Sequence, residues 1–155
     1  MKPYRIIFLC HGNICRSPMA EWLFKHLSAE AGVSERFEVS SAAVSYEEEG
    51  NGMYPPARRK LHEKGIPFGS HYAHRITRQE YDAADLVIIM DRSNRRMLEY
   101  IVGDDREGKV HMMLEYAHMS RDVADPWYTG DFEKAYNDIL LGCRGLIETL
   151  MAKIA

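Results

Sequence analysis

Residues 5–24 read RIIFLCHGNICRSPMAEWLF, and this stretch decides the fold. The apolar run at residues 4–10 is typical of a central strand buried on both faces. Ser17-Pro18 then predicts a helix start, because proline suits the first helical position and apolar residues follow at helical spacing. The stretch therefore predicts a strand that runs through a tight loop into a helix N-terminus, a junction that can hold an anion.

The tight loop, residues 10–17, carries a thiol and a guanidinium at the spacing C-x5-R. One loop turn at this spacing puts Cys10 beneath an anion while Arg16 grips its oxygens, since a guanidinium matches phosphate bidentately. Gly12 and Asn13 tolerate the left-handed backbone that points successive N–H groups inward. The helix N-terminus, Arg16 and a hydrogen bond from Ser17 would stabilise Cys10 as a thiolate. The loop therefore predicts nucleophilic attack on phosphorus.

The rest of the chain alternates strand and helix patterns. Further strands are predicted at residues 37–41, 85–90 and 109–114, and helices at 56–64, 76–84, 90–101 and 131–153. This alternation indicates a three-layer α/β domain with a parallel sheet. Ligands of such sheets bind at the carboxyl ends of strands, and Cys10 lies at one of those ends.

Composition narrows the class of protein. The chain has 155 residues, 46% of them hydrophobic, and a formal net charge of −3. This charge gives no reason to expect nucleic-acid or membrane binding, and the N-terminal apolar run is too short for a signal peptide. Three cysteines, an odd number, argue against a disulfide framework. We therefore expect a cytoplasmic protein with one domain, residues 1–155.

The segment CHGNICRSP resembles the signature loop of the low-molecular-weight protein tyrosine phosphatases. Later segments resemble that family in the right order: SSAAVS (40–45), GIPFGSHYAHRIT (65–77), VIIMDRSN (87–94) and DPWYTGDFEKAY (125–136). The resemblance covers essentially the whole chain. It implies a Rossmann-like α/β/α fold with a central four-stranded parallel sheet, the phosphotyrosine protein phosphatase I fold, and no metal or organic cofactor. The implied partners are tyrosine-phosphorylated proteins or peptides, with inorganic phosphate as product and inhibitor.

The resemblance also implies catalytic roles. Cys10 would be the nucleophile, Arg16 would bind phosphate, and Asp125 would be the general acid and later the general base. Asp125 precedes a proline, which favours a fixed turn, and without the resemblance a plain turn former would be the better interpretation. The remaining residues of the implied phosphate-binding loop are His11, Gly12, Asn13, Ile14, Cys15 and Ser17. The role of His11 stays open between added positive charge near the thiolate and simple exposure to solvent.

Aromatic side chains are expected to form the wall of a pocket deep enough for phosphotyrosine. Tyr46, Trp127 and Tyr128 match wall positions in the family. The neighbouring acidic run, residues 47–49, has two interpretations: a solvated loop, or a charge that repels acidic peptides and favours basic residues beside the phosphotyrosine.

Three further residues are expected to support the loop. Ser41 and His71 match positions that, in relatives, hydrogen-bond the phosphate loop around Asn13 and Ser17. Asp91 follows a predicted strand and could orient loop groups without taking part in the chemistry.

The two remaining cysteines have different expected roles. In relatives, the cysteine at the position of Cys15 can form a reversible disulfide with the nucleophile, which protects the nucleophile from over-oxidation. Cys143 lies within the last predicted helix and is expected to be inert packing.

Other functions on the same fold remain as alternatives. Thioredoxin-coupled arsenate reductases need a downstream cysteine pair, whereas this chain has only Cys143 beyond the loop. Related protein arginine phosphatases typically carry threonine where this chain has Ile14, so Ile14 favours tyrosine. A module that binds phosphate or phosphoproteins without turnover needs neither Cys10 nor Asp125. Cys10 and Cys15 also lack the spacing of zinc ligands. We expect a monomer, and weak self-association through the aromatic rim stays open.

Overall fold

The computed structural model describes residues 2–154 and contains a four-stranded sheet in which every paired strand runs parallel to its neighbour. The strands are β1 (Tyr4–Cys10), β2 (Phe37–Ala43), β3 (Leu86–Ile89) and β4 (Val110–Met112), in the spatial order β2-β1-β3-β4. In the register of β1 and β2, Cys10 pairs with Ala43, so both strands end at the same edge. The α/β class and the parallel sheet are confirmed.

Within the described residues, six α-helices surround the sheet. They are α1 (Arg16–Glu30), α2 (Pro55–Glu63), α3 (Arg78–Ala83), α4 (Arg92–Val102), α5 (Pro126–Thr129) and α6 (Phe132–Ile154). Two short 3₁₀ helices, Ser34–Arg36 and Met113–Ala117, complete the described elements. Within residues 2–154, none of the helices combines the length and the apolar character needed to cross a bilayer.

Strand β1 explains why helices cover both faces of the sheet. Its side chains alternate between the faces, and both sets are apolar. Ile6 and Phe8 pack with α1, α2 and α6, whereas Ile7 and Leu9 pack with α3 and α4. All four side chains are at most 6% exposed. Each contributes roughly 1.5–3 kcal/mol of apolar burial, so a polar substitution in β1 would disrupt both layers.

Apart from shifts of one or two residues at element ends, the predicted elements differ from the structure in two places. The apolar run at 109–114 was predicted to be one strand, but β4 ends at Met112 and Met113–Ala117 form a 3₁₀ helix. Met113 and Leu114 are fully buried in that turn, and a short apolar run cannot distinguish a buried turn from a buried strand. Helix α5 was not predicted, because four residues show no helical periodicity.

Parallel strands bring the candidate residues to one edge of the sheet. Cys10 is the last residue of β1, and Asp91 is the N-cap of α4, two residues beyond β3. The loop between β1 and α1 lies at this edge, which is the place where parallel α/β sheets bind ligands.

Candidate active site

Two polar groups contact the Cys10 sulfur. The Ser17 Oγ atom lies 3.0 Å from Cys10 Sγ, and the Asn13 backbone N–H donates to the same sulfur at 3.3 Å. Ser17 Oγ also accepts a 2.8 Å hydrogen bond from Asn13 Nδ2. Since that bond uses the oxygen as an acceptor, the Ser17 hydrogen can point to the Cys10 sulfur at 3.0 Å or to the more distant Ala42 carbonyl at 3.5 Å. Hydrogen bonds of this kind favour a sulfur that carries negative charge.

Asn13 is the centre of the hydrogen bonds beneath the loop. It is fully buried and has a φ of 60°, a left-handed conformation that asparagine tolerates better than most residues. Its Nδ2 atom donates to Ser41 Oγ at 3.0 Å as well as to Ser17. Its carbonyl accepts a 2.6 Å hydrogen bond from His71 Nε2. Two of the three predicted support residues, Ser41 and His71, therefore contact Asn13.

Glycine at position 12 has a different role from the one expected. Gly12 is not among the residues with positive φ, so only Asn13 adopts the left-handed backbone in this loop. A Cβ at Gly12 would lie 3.1 Å from Glu48 Cγ, tighter than ordinary van der Waals contact. Gly12 thus gives room for the close approach of the acidic segment.

Three support residues, Glu21, Lys25 and His74, were missed by the sequence analysis. Glu21 Oε1 accepts a 2.6 Å hydrogen bond from Ser41 Oγ, and Lys25 Nζ donates to Glu21 Oε2 at 2.6 Å. The backbone N–H of His74 contacts Asn13 Oδ1 at 3.4 Å. The i,i+4 spacing of Glu21 and Lys25 on α1 was visible in the sequence, but that spacing more often marks a solvated pair than a buried support.

Arg16 is buried at the start of α1 and faces two carboxylates. Its Nη1 donates to Asp91 Oδ2 at 2.7 Å and to the Val123 carbonyl at 2.8 Å, and its Nη2 contacts Asp125 Oδ2 at 3.3 Å. Burial alone would lower the pKa of Arg16, but the negative charges of Cys10, Asp125 and Asp91 more than offset burial and raise it. The guanidinium is therefore charged and held in a fixed orientation.

Asp125 is the N-cap of α5. Its Oδ1 accepts a 3.0 Å hydrogen bond from the Trp127 backbone N–H, and its Oδ2 faces Arg16. Pro126 is buried and occupies the first position of the helix, where proline is pre-organised for helical geometry. The Asp-Pro turn thus fixes the carboxyl at the same pocket as the thiol.

One pocket brings most of the predicted residues together. It is lined by Cys10, His11, Gly12, Ile14, Cys15, Arg16, Glu47, Glu48, Asp125, Trp127 and Tyr128. At its rim, His11 Nε2 lies 2.8 Å from Glu47 Oε2. In the acidic run, Glu47 and Glu48 face the pocket, whereas Glu49 accepts a 3.0 Å hydrogen bond from the Arg75 backbone N–H.

The structure places the three predicted wall aromatics differently. Trp127 and Tyr128 line the pocket, and they are 51% and 81% exposed. Tyr46 is not among the lining residues; its ring packs against the Arg75 guanidinium, whose Cζ lies 4.3 Å from the ring centroid. An aromatic that the sequence analysis missed, Tyr54, packs against Trp127 with 4.7 Å between ring centroids.

All three cysteines are free and buried. Cys15 lines the pocket with Cys10, and burial, followed by the charges of Cys10 and Asp125, raises its pKa. Cys143 is fully buried in α6, where burial raises its pKa too. Across residues 2–154, no three His, Cys, Asp or Glu side chains form a group that could hold a metal ion.

Known proteins resemble this chain along nearly its whole length. A family model for the low molecular weight phosphotyrosine protein phosphatases matches residues 5–155. The chain is 34% identical over 147 residues to the low molecular weight protein-tyrosine-phosphatase YfkJ of Bacillus subtilis, covering 94% of each protein. It is 35% identical over 148 residues to the human low molecular weight phosphotyrosine protein phosphatase, covering 92% of this chain and 93% of the human protein.

Solved structures agree with these matches. The crystal structure of YfkJ aligns with a TM-score of 0.95 at 32% identity, over 100% of this chain and 99% of YfkJ. A Drosophila arginine phosphatase aligns with a TM-score of 0.84 at 26% identity, over 94% of this chain and 96% of that one. Proteins of this fold thus include one named as an arginine phosphatase, and it aligns with as large a share of this chain as the two tyrosine phosphatase relatives do. By its loop, its sheet and these full-length matches, the chain belongs to the low molecular weight phosphotyrosine protein phosphatase family.

Proposed function

We propose that this protein is a cysteine-dependent phosphatase that hydrolyses phosphotyrosine in proteins or peptides, and small aryl phosphates. One observation carries the proposal: the Cys10 sulfur receives contacts from Ser17 Oγ and the Asn13 N–H in a pocket that Arg16 and Asp125 also line. A module that only binds phosphate would need the arginine but not the activated thiol or the carboxyl.

Phosphate binding is assigned to the loop and to Arg16. The start of α1 carries partial positive charge and unpaired N–H groups, which attract an anion. Asp91 and the Val123 carbonyl hold Arg16 Nη1, so an incoming phosphate meets a guanidinium that needs no reorganisation. Such pre-organised donors stabilise the charge of phosphoryl transfer.

In the first chemical step, the Cys10 thiolate attacks phosphorus. The S–P bond forms, the P–O bond to the phenol breaks, and the bond's electron pair leaves with the phenol oxygen. Asp125, protonated at this stage, transfers its proton to that oxygen. General-acid help of this kind contributes about 10²–10⁴-fold in rate.

In the second step, a water molecule hydrolyses the cysteinyl-phosphate. The Asp125 carboxylate takes a proton from the water, the new P–O bond forms, and the S–P bond breaks to regenerate the Cys10 thiolate. Inorganic phosphate leaves as the product and, at high concentration, occupies the same loop as an inhibitor. Neither step calls for a metal or an organic cofactor.

The pocket supports an aromatic substrate. Trp127 and Tyr128 offer flat apolar faces at the rim, and Ile14 contributes an apolar side chain inside it. An aryl phosphate buries its ring against these faces, whereas the charged guanidinium of phosphoarginine would be desolvated beside Ile14. Phosphotyrosine is therefore the preferred substrate, and phosphoarginine is the comparison that tests it.

Cys15 is the proposed redox partner of Cys10. Hydrogen peroxide would oxidise the Cys10 thiolate to a sulfenic acid with release of hydroxide. The Cys15 sulfur would then displace water from it, forming the disulfide. The three free cysteines suit a reducing compartment, and we propose that the protein acts as a monomer in the cytoplasm.

Hydrolysis of p-nitrophenyl phosphate at mildly acidic pH, with EDTA present, tests the proposal. We expect the wild-type protein to turn over, Cys10→Ser to be inactive, and Asp125→Ala to keep a reduced rate: the acidic p-nitrophenol needs little help from the acid, but hydrolysis of the cysteinyl-phosphate lacks its base. Cys143→Ala, which removes a cysteine outside the pocket, is the matched control and should stay active. An inactive wild-type protein, or full activity in Cys10→Ser, would refute the thiolate mechanism. Phosphotyrosine and phosphoarginine peptides are then compared on the active protein.

A further inference from the structure

Tyr54 lies where the phosphate loop and the segment of Asp125 meet. Its backbone N–H donates to the Ile14 carbonyl at 2.9 Å. Its ring packs against a small buried cluster of Ile14, Cys15 and Ala73 directly behind the loop. The same ring contacts Trp127, with ring centroids 4.7 Å apart and an interplanar angle of 52°. One residue therefore contacts both halves of the candidate active site.

The position of Tyr54 is unusual for its residue type. It is the N-cap of α2, yet it makes no side-chain cap hydrogen bond. Serine, threonine, asparagine or aspartate at an N-cap stabilises a helix by about 1 kcal/mol compared with residues that cannot cap. A tyrosine at this position does not provide that stabilisation, so we look to the contacts of its ring for its role.

Helix α5 has few other anchors. Of its four residues only Pro126 is buried, and Trp127 is 51% exposed. The Trp127 backbone N–H is also the donor that holds Asp125 Oδ1 at 3.0 Å. Since the Tyr54 ring packs against the Trp127 side chain, it restrains the residue whose backbone orients the carboxyl.

We propose that Tyr54 is a positioning residue that fixes the Asp125 carboxyl relative to the Cys10 sulfur by packing against Trp127. The proposal rests on the proposed function, because it assigns the acid of that reaction. Tyr54 is not among the residues that line the pocket, so its role is to act through Trp127 and not on the reacting atoms. Its role is to hold the turn that carries Asp125 at a fixed position relative to the phosphate loop.

The chemistry supplies a specific signature. A misplaced acid slows substrates whose leaving group must be protonated, and it has little effect on substrates whose leaving group departs as an anion. Phenol and tyrosine are weak acids and need the proton, whereas p-nitrophenol is much more acidic. The ratio of kcat/KM for phenyl phosphate to kcat/KM for p-nitrophenyl phosphate therefore reports on the acid, because kcat/KM covers the steps up to phenol release.

The test measures this ratio in the wild-type protein, in four single variants, and in Asp125→Asn with and without Tyr54→Ala. Tyr54→Ala removes the ring, and Tyr54→Leu keeps apolar bulk in case the alanine variant folds poorly. Tyr54→Phe keeps the ring. Tyr100→Ala, on α4 and 93% exposed, is the control for removing a tyrosine. Thermal unfolding of each variant shows that it is folded at the assay temperature.

We expect Tyr54→Ala and Tyr54→Leu to lower the ratio at least about threefold, part of the loss that removing the acid entirely would cause. Tyr54→Phe should restore the wild-type ratio, and Tyr100→Ala should keep it. In an Asp125→Asn background, Tyr54→Ala should change the ratio no further.

The outcomes separate this proposal from the function on which it rests. If Tyr54→Ala slows both substrates equally, or slows neither, in a wild-type protein that is active, the positioning role is wrong and the phosphatase assignment stands. If the wild-type protein hydrolyses neither substrate, both proposals fail.

Discussion

Asp91 Oδ2 accepts a 2.7 Å hydrogen bond from Arg16 Nη1, a shorter contact than the 3.3 Å between Arg16 Nη2 and Asp125 Oδ2. The guanidinium is thus held more tightly by the residue behind it than by the carboxyl at the pocket. This difference in distance suits the function of the Arg16 guanidinium, which must keep its orientation while Asp125 donates and accepts protons.

The first prediction concerns this pair. Asp91→Asn keeps an oxygen for the Asn94 N–H that it caps at 2.8 Å, but it removes the charge beside a buried arginine. We expect the free energy of unfolding in urea to fall by about 3 kcal/mol, the lower end for a broken buried pair, since Val123 and Asp125 still contact Arg16. Added inorganic phosphate should recover part of the loss, because it binds only the folded state. The exposed Asp104→Asn is the control, and equal stability of the two variants would contradict the role of Asp91.

The second prediction concerns Asn13. It separates the contribution of the left-handed backbone at this residue from the contribution of its side-chain hydrogen bonds. Both Asn13→Gly and Asn13→Ala lose the bonds to Ser17 and Ser41. Alanine must also hold the φ of 60°, which costs roughly 1–2 kcal/mol, whereas glycine adopts it freely. Urea unfolding should therefore show Asn13→Ala to be less stable than Asn13→Gly, and both should hydrolyse aryl phosphates more slowly than the wild-type protein. Equal stability of the two would mean that the backbone relaxes away from this conformation.

Oxidation provides a third prediction. Burial first, and then the charges of Cys10 and Asp125, raise the pKa of Cys15, so Cys15 is a thiol at neutral pH and peroxide should react at Cys10. After peroxide treatment, a thiol reductant should restore activity in the wild-type protein and in Cys143→Ala. In Cys15→Ser, recovery should be much smaller because Cys10 proceeds to the sulfinic acid. Mass spectrometry checks for the Cys10–Cys15 disulfide, and full recovery in Cys15→Ser would rule out the pairing.

A fourth prediction concerns acid stability. Hydrogen bonds from Lys64 and Lys60 lower the pKa of Glu133 from 4.5 to about 2. The pKa of Glu133 is lower in the folded state than in the unfolded state. The contact of its carboxylate with the two lysines therefore stabilises the fold at pH values above the ordinary pKa of glutamate. This stabilisation is lost as the pH falls towards 2. Glu133→Gln should therefore narrow the gap in thermal unfolding temperature between neutral and acidic pH, compared with Glu99→Gln on α4. The effect should be small and should shrink in high salt, since the Glu133 side chain is about half exposed to solvent. An unchanged pH profile in Glu133→Gln would contradict it.

The first strand, the loop and α1 could be predicted from the sequence because their signals are local and agree. The apolar run, the Gly-Asn pair and the Ser-Pro helix start all lie within residues 4–18, and the contact between Cys10 and Ser17 spans only one loop. The helix begins at Arg16, one residue before the predicted start, a difference within the usual uncertainty of helix ends.

The rim could not be predicted in the same way, because it is made by contacts between distant segments. Nothing near Tyr54 in the sequence indicates that its ring meets Trp127. Tyr46 lies beside two residues that do line the pocket, yet the bend of the chain turns its ring towards Arg75. Which of two neighbours faces a pocket depends on backbone geometry that composition does not encode.

Besides Glu21 and Lys25 on α1, the supports of the phosphate loop come from four further parts of the chain. Ser41 lies in β2, His71 in the segment before α3, Asp91 after β3, and Val123 before α5. A short peptide with the loop sequence would therefore not hold the loop in its folded conformation. Displacing any of these four segments would make the Cys10 thiol less reactive. Anion binding at this loop thus reports whether the whole domain is folded. A partly unfolded chain loses the activated Cys10 thiol, so that thiol does not react with unrelated molecules.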